Sequence, residues 1–269
     1  MRKRSIALRG ARKFACRYDM FHFHVSIGLA IYLARRIFSV SPLPFFLIYL
    51  NAPCIKSTKL VRRNSFCRFF MLETIIDLIR HGEPAGGRRY RGHGVDDPLT
   101  EKGWLQMWTA VGEHKSWQHI VTSPLLRCRE FAHALGERHS IPVTVEPRFK
   151  EVGFGEWEGL SHDAVKIDRI DAYRAFLRDP VGCRPQGAEP LDDFVRRVSS
   201  AYDETLSRHQ GRHYLIVAHA GVIRAMIAKT VHASPSGLYR IKVSNGGITR
   251  IRHSAEGGVL ELLNGKLAD

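Results

Sequence analysis

The sequence predicts an α/β domain, and three stretches carry that reading. Thr74 to Ile79 (TIIDLI) is an apolar, β-branched run suited to a strand buried on both faces. Trp104, Met107, Trp108 and Val111 recur at the i, i+3, i+4, i+7 spacing of a helix with one buried face. Tyr214 to Ala218 (YLIVA) has the composition of a central strand. From Thr74 onward strands and helices alternate, as the layered α/β classes require.

The remaining elements follow in order. His119 to Thr122 (HIVT) reads as a short strand, and Ser123-Pro124 as the opening of the next helix, with serine as N-cap and proline at the first helical position. Pro142 to Glu146 reads as another strand. Leu191, Phe194, Val195, Val198 and Tyr202 form a second helical stripe, and a further helix is expected from about Val222 to Val231. Leu238 to Val243, Ile248 to His253 and Val259 to Leu263 read as closing strands. Packing against a core accounts for the Trp and Met residues of the first helix more simply than a metal, haem or partner does.

Charge divides the chain sharply. The 269 residues carry a net charge of +15, which by itself suggests an anionic partner such as nucleic acid or a membrane surface. Residues 1 to 70, however, hold 14 Lys or Arg against the single acid Asp19, so nearly all of the excess lies there. No nucleic-acid partner is expected for the remainder. Three of the five cysteines (Cys16, Cys54, Cys67) lie in the same segment, and the odd count argues against a secreted disulfide framework. No Cys/His group has metal-ligand spacing. A reducing, cytoplasmic setting is the expectation.

The expected domain boundary is therefore near Met71, with a basic, partly apolar extension at 1–70 and the α/β domain at 71–269. Val25 to Ala34 and Ile37 to Leu50 are apolar, but each is shorter than the ~18 to 20 residues needed to cross a bilayer. Joined, they would place Arg35 and Arg36 in hydrocarbon at roughly 2.5 to 3.5 kcal/mol apiece. Three explanations stay open for the extension: a membrane-surface anchor, a targeting segment, or translation that begins at Met71. The abrupt change in composition favours the third, and N-terminal sequencing of the native protein tests it. Membrane contact, if any, is expected only through residues 1–70.

Arg80-His81-Gly82-Glu83 follows the first strand directly, so Arg80 and His81 stand at its carboxyl end, where ligands bind in open α/β sheets. His219 stands in the same relation to YLIVA. Gly82 is expected to let the backbone turn tightly and approach a phosphate. Any one of the fourteen histidines, taken alone, is more often a core or solvated residue than a catalyst. Arg88, Arg89, Arg91 and His93 read either as a solvated charge run or as a rim that attracts an anion. Glu83 is either solvated or a tie for its loop.

Six motifs in order change those odds. RHGE at Arg80 to Glu83, DPLTEKG at Asp97 to Gly103, SPLLR at Ser123 to Arg127, E-x-x-F-G-x-W-E-G at Glu151 to Gly159, GAEPLDDFVRRV at Gly187 to Val198 and VAHAGVIR at Val217 to Arg224 resemble those of the histidine phosphatase, or phosphoglycerate mutase-like, superfamily. The resemblance spans nearly all of residues 72 to 250. It implies a three-layer α/β/α sandwich with a mostly parallel central sheet. It also implies His81 as the nucleophile, Glu151 as the general acid, and Arg80, Arg127 and His219 as phosphate-binding groups. Ala220 is a candidate backbone donor to phosphate at a helix start. No cofactor or metal is required by that scheme.

Departures from the family pattern are confined to supporting positions. Pro84 and Gly87 stand where many members have Ser or Thr and then Asn, Phe131 where the helix often carries Thr, and Ala188-Glu189-Pro190 where Gly-Glu-Ser is usual. Glu151 and His219 stand 68 positions apart, and the segment between them holds no long proline-rich insertion of the kind associated with cofactor-dependent mutases. A phosphatase acting on a small phosphomonoester is therefore expected. The FGEWEG run looks most like alpha-ribazole phosphatases of cobalamin assembly, which makes alpha-ribazole 5'-phosphate the leading substrate. Mutase-type phosphoryl transfer, or a catalytically idle basic module binding membrane or nucleic acid, are the alternatives. Oligomeric state is not encoded legibly.

Overall fold

The computed structural model describes residues 73–267. The apolar runs and the other readings placed on residues 1–70 lie outside the described residues. Six strands form one sheet: β1 (Thr74–Arg80), β2 (Ile120–Thr122), β3 (Val143–Val145), β4 (His213–Ala218), β5 (Ile248–Ser254) and β6 (Gly257–Gly265). Their spatial order is β3-β2-β4-β1-β5-β6. The first four run parallel, and β5 and β6 continue the sheet antiparallel.

Helices cover both faces. They are α1 (Glu101–Val111), α2 (Leu126–His139), α3 (His162–Asp168), α4 (Ile170–Arg178), α5 (Leu191–Arg208) and α6 (Ala220–Thr230). Because side chains alternate along a strand, each central strand feeds two cores. Ile76, Leu78, Tyr214, Ile216 and Ala218 pack with Phe194, Val198 and Tyr202 of α5 and Val222, Ile223 and Met226 of α6. Ile79, Leu215 and Val217 point the other way, onto Met107 and Val111 of α1 and Phe131 and Leu135 of α2. This double burial is why β1 and β4 read as unbroken apolar runs, and it makes the expected three-layer sandwich.

One buried charge interrupts that pattern. Asp77, fully buried in β1, accepts hydrogen bonds from Arg250 Nε and one of its terminal nitrogens at 2.7 and 3.0 Å, from His213 Nε2 at 2.7 Å and from the Trp117 indole at 2.9 Å. Burial alone would raise its pKa; the bonds from His213, Arg250 and Trp117 outweigh burial and bring it to about 2. Asp77, His114 and His213 lie near enough to hold a cation. Both carboxylate oxygens are already engaged by Arg250, so the group is a pinned ion-pair network.

Two sequence readings need correction. Leu238 to Val243 is not a strand: Pro235–Arg240 forms a 3-10 helix, led by proline, that turns the chain toward β5. Ser123 does not cap α2, which begins at Leu126 with Leu125 at the cap position. The first free amide, Leu126 N, instead donates to Asp96 Oδ1 at 2.8 Å, a side chain thirty residues upstream. Helices α3 and α4 were not foreseen. Among the described residues, no helix is long and apolar enough to cross a membrane.

Candidate active site

The parallel pairing of β1 and β4 builds the centre of the site. Arg80 stands opposite Ala218 in the ladder, so the next residues, His81 and His219, leave the sheet side by side. Parallel strands lie about 4.8 Å apart. Their imidazole centroids are accordingly 5.2 Å apart, edge to face. On the far side of β4, Thr122 pairs with Val217, which brings Ser123 beside His219, its Oγ 2.6 Å from Nε2. Three strand exits thus converge, and Ser123, read as a cap from the sequence, is a partner of His219.

His81 Nδ1 lies 2.7 Å from the Gly82 carbonyl oxygen. A carbonyl can only accept, so Nδ1 carries the hydrogen and the neutral ring keeps its lone pair on Nε2. Burial, and next the Arg80 and Arg127 guanidiniums, push the ring's pKa well below its ordinary value, which holds it neutral. Gly82 itself has an unexpected reason to be glycine. A Cβ there would sit 2.0 Å from the Gly103 carbonyl oxygen, so the residue is required by close packing of the loop on α1.

The cations surround His81. Arg127 is almost fully buried and donates to Val95 O and Gly92 O at 3.0 Å each. Arg80 donates to Val243 O at 2.7 Å. Burial lowers Arg80 to about 10, with Glu151 opposing the shift and Arg224 and Arg127 adding to it, so it stays charged at neutral pH. The Nε–H groups of Arg80 and Arg127 are buried and have no protein partner among the described residues, which suits a site for anion oxygens.

Glu151 enters from the loop after the 3-10 turn Pro147–Phe149. Its Oε1 accepts from Val152 N at 3.0 Å and its Oε2 from Gly221 N at 3.2 Å, in the first turn of α6. Gly221 is tightly fitted here, since a Cβ would stand 2.3 Å from Glu151 Oε1.

These groups face a cavity of about 810 Å³. Arg80, His81, Arg127, Glu151 and Ala220 all line it. His219 does not: it is fully buried behind His81, and burial, then Arg127 and His81, push its pKa well down. Cys128 Sγ lies 3.6 Å from its Nε2.

The basic loop divides into two roles. Arg89 and Arg91 both bind Asp97, at 2.8 Å each, and Arg91 also donates to Gly87 O at 2.7 Å. They tie the loop together while still lining the cavity. His93 Nδ1 donates to the Glu151 carbonyl at 3.0 Å. Glu83 pairs with Lys102 at 2.8 Å in an exposed position.

Sequence reasoning missed the outer half of the cavity. Tyr90, Phe154, His162, Tyr173, Phe176 and Tyr239 line it, with Tyr90 stacked on His162 at 4.4 Å. Most of these come from α3, α4 and the 3-10 turn before β5. Their aromatic character was visible in the sequence, but nothing local showed that they meet.

Comparison with known proteins fits this geometry. A bifunctional protein of Mycobacterium tuberculosis is 30% identical over 185 residues, covering 67% of this chain and 50% of that protein. The chain thus spans about half the length of that relative. The adenosylcobalamin/alpha-ribazole phosphatase of Salmonella typhimurium is 28% identical over 193 residues, covering 70% of this chain and 95% of that protein. The structure of mycobacterial glucosyl-3-phosphoglycerate phosphatase superposes with a TM-score of 0.64 at 26% identity, covering 72% of this chain and all of that one. The model of the histidine phosphatase superfamily (branch 1) matches residues 76–266, most of the chain, and the protein belongs to that superfamily.

Proposed function

We propose that the protein is a phosphomonoesterase that works through a phosphohistidine on His81. The observation that carries this reading is the His81–Gly82 hydrogen bond, which leaves Nε2 as a free nucleophile beside two guanidiniums with buried, unpartnered N–H groups. Nε2 attacks phosphorus, a P–N bond forms, and the P–O bond to the alcohol breaks in line. Glu151 gives its proton to the departing alkoxide. As a carboxylate it then takes a proton from water, which attacks the phosphohistidine, releases phosphate and returns the lone pair to Nε2. Arg80 and Arg127 neutralise the equatorial oxygens, where fixed charge acts most strongly on a loose transition state. His219, held by Ser123, supports the His81 ring from behind, and the first amides of α6 add their partial positive charge.

For the alcohol, alpha-ribazole 5'-phosphate is the leading candidate. It is a nucleotide-like ester with a planar aromatic base, and the outer cavity wall is built of Tyr90, Phe154, His162, Tyr173, Phe176 and Tyr239. The Salmonella relative bears that activity in its name. We place the activity in residues 71–269 and assign residues 1–70 no part in it.

The test uses the full chain. It is expected to hydrolyse phosphomonoesters without added metal, to give an acid-labile phosphoenzyme on rapid quenching, and to prefer alpha-ribazole phosphate over 3-phosphoglycerate. His81→Ala should abolish both turnover and phosphoenzyme. Unchanged turnover in that variant would dismiss the mechanism, and a preference for 3-phosphoglycerate would dismiss the substrate.

A further inference from the structure

Arg197, on α5, uses every N–H it has. Its Nε donates to Glu189 Oε1 at 2.7 Å, and one terminal nitrogen donates to Arg148 O and Lys150 O at 2.5 and 2.9 Å. The other donates to Glu151 O and Glu189 Oε2 at 3.1 and 2.9 Å. A guanidinium has five N–H groups, and all five are spent here. Three of the five acceptors are carbonyls of the short segment that delivers Glu151 into the cavity. Glu189 in turn accepts from Gly153 N at 3.2 Å, just beyond Glu151. Arg197 also lies over the Phe194 ring, 4.8 Å from its centroid, which fixes the approach of the side chain from α5.

We propose that Arg197, oriented by Glu189, is a positioning residue for Glu151: it sets the backbone from which the acid reaches the leaving oxygen. This rests on the reading of Glu151 as the general acid. The clamp grips both sides of Glu151, at residues 148–151 through Arg197 and at Gly153 through Glu189. Among the described residues, the carboxyl group is left to be aimed by hydrogen bonds from Val152 N and Gly221 N. Lysine can replace the clamp only in part, because one ammonium cannot gather three carbonyls and a carboxylate lying in different directions.

The distinguishing measurement is dependence on the leaving group. An aryl ester such as 4-nitrophenyl phosphate expels a stable phenolate and hardly needs an acid, whereas glycerol 2-phosphate expels an alkoxide and does. The comparison uses kcat/KM, which covers steps only up to transfer onto His81. In Arg197→Gln the alkyl ester is expected to lose about 10²-fold, the scale of a misplacement near 1 Å, while the aryl ester is nearly unchanged. Arg197→Lys and Glu189→Gln should fall in the same direction by less. The aryl-to-alkyl ratio is taken within one preparation, so any unfolded fraction cancels. An equal loss for both esters in all three variants would overturn the inference. Glu151→Gln is the control: if it discriminates between the esters and the Arg197 variants do not, the positioning role alone fails. If Glu151→Gln does not discriminate either, the assignment of the acid fails with it.

Discussion

Gly221→Ala should separate activity from stability, because its added methyl meets a carboxylate oxygen of Glu151, the proposed acid, and little else. The new Cβ would stand 2.3 Å from Glu151 Oε1, against about 3.3 Å for an ordinary C···O contact. The carboxyl group is the free end of a side chain, so it moves by about 1 Å and the fold does not. Its bond from Gly221 N is lost in the process. The next neighbour, Phe194 Cζ at 3.3 Å, asks for only a small adjustment. If Glu151 is the proton donor, as proposed, a displacement of that size costs about 10²-fold in rate. Alanine in place of glycine within a helix contributes about 0.5 to 1 kcal/mol of stability, enough to offset the minor crowding. The expected result is a kcat/KM for an alkyl phosphomonoester about 10²-fold down with a melting temperature unchanged or raised. The same substitution made on Glu151→Gln should cost little more, since both act on one group. A fully active Gly221→Ala, or losses that simply multiply in the double variant, would refute the reasoning.

Other outcomes follow from the same interactions. Asp96→Ala removes the only side-chain acceptor found for the first amide of α2 among the described residues, and should cost about 1 kcal/mol in urea unfolding. No change would show that solvent serves as well. Asp77 has a folded pKa near 2 against an ordinary 3.8, so its ionisation contributes stability above pH 4 that is lost as pH falls through 2. That contribution is about 2 kcal/mol. The stability gap between the wild type and Asp77→Asn should therefore shrink by that amount on acidification, and a gap independent of pH would contradict the ion-pair assignment.

What the sequence disclosed, and what it did not, follows from the range of the interactions involved. β1 and β4 were legible because double burial demands uninterrupted apolar residues. His81, Arg80, Arg127 and Glu151 were legible as an ordered set of motifs, and the in-register strands explain why two distant histidines are neighbours. The α2 cap was not legible, since its acceptor comes from a separate loop and the local Ser-Pro pair imitates a cap. Leu238 was misread because apolar residues beside Pro235 look alike in a strand and in a 3-10 turn. The reason for Gly82 was also hidden, as it depends on a backbone brought in by α1. Helices α3 and α4 went unseen because each is short and Ile167, Ile170 and Leu177 face outward, which blurs their periodicity.

The placement of α3 and α4 has a consequence for how such an enzyme changes its diet. Arg80, His81 and His219 stand at or just beyond the ends of two central strands, whereas His162, Tyr173 and Phe176, half of the six aromatic rings that line the cavity, belong to one continuous stretch, residues 161–178. On the proposed mechanism, swapping that stretch for another, by recombination or by design, is expected to change which ester is accepted while His81, Arg80, Arg127 and Glu151, which all lie outside it, keep their places. A single catalytic chassis can in this way be refitted for many esters.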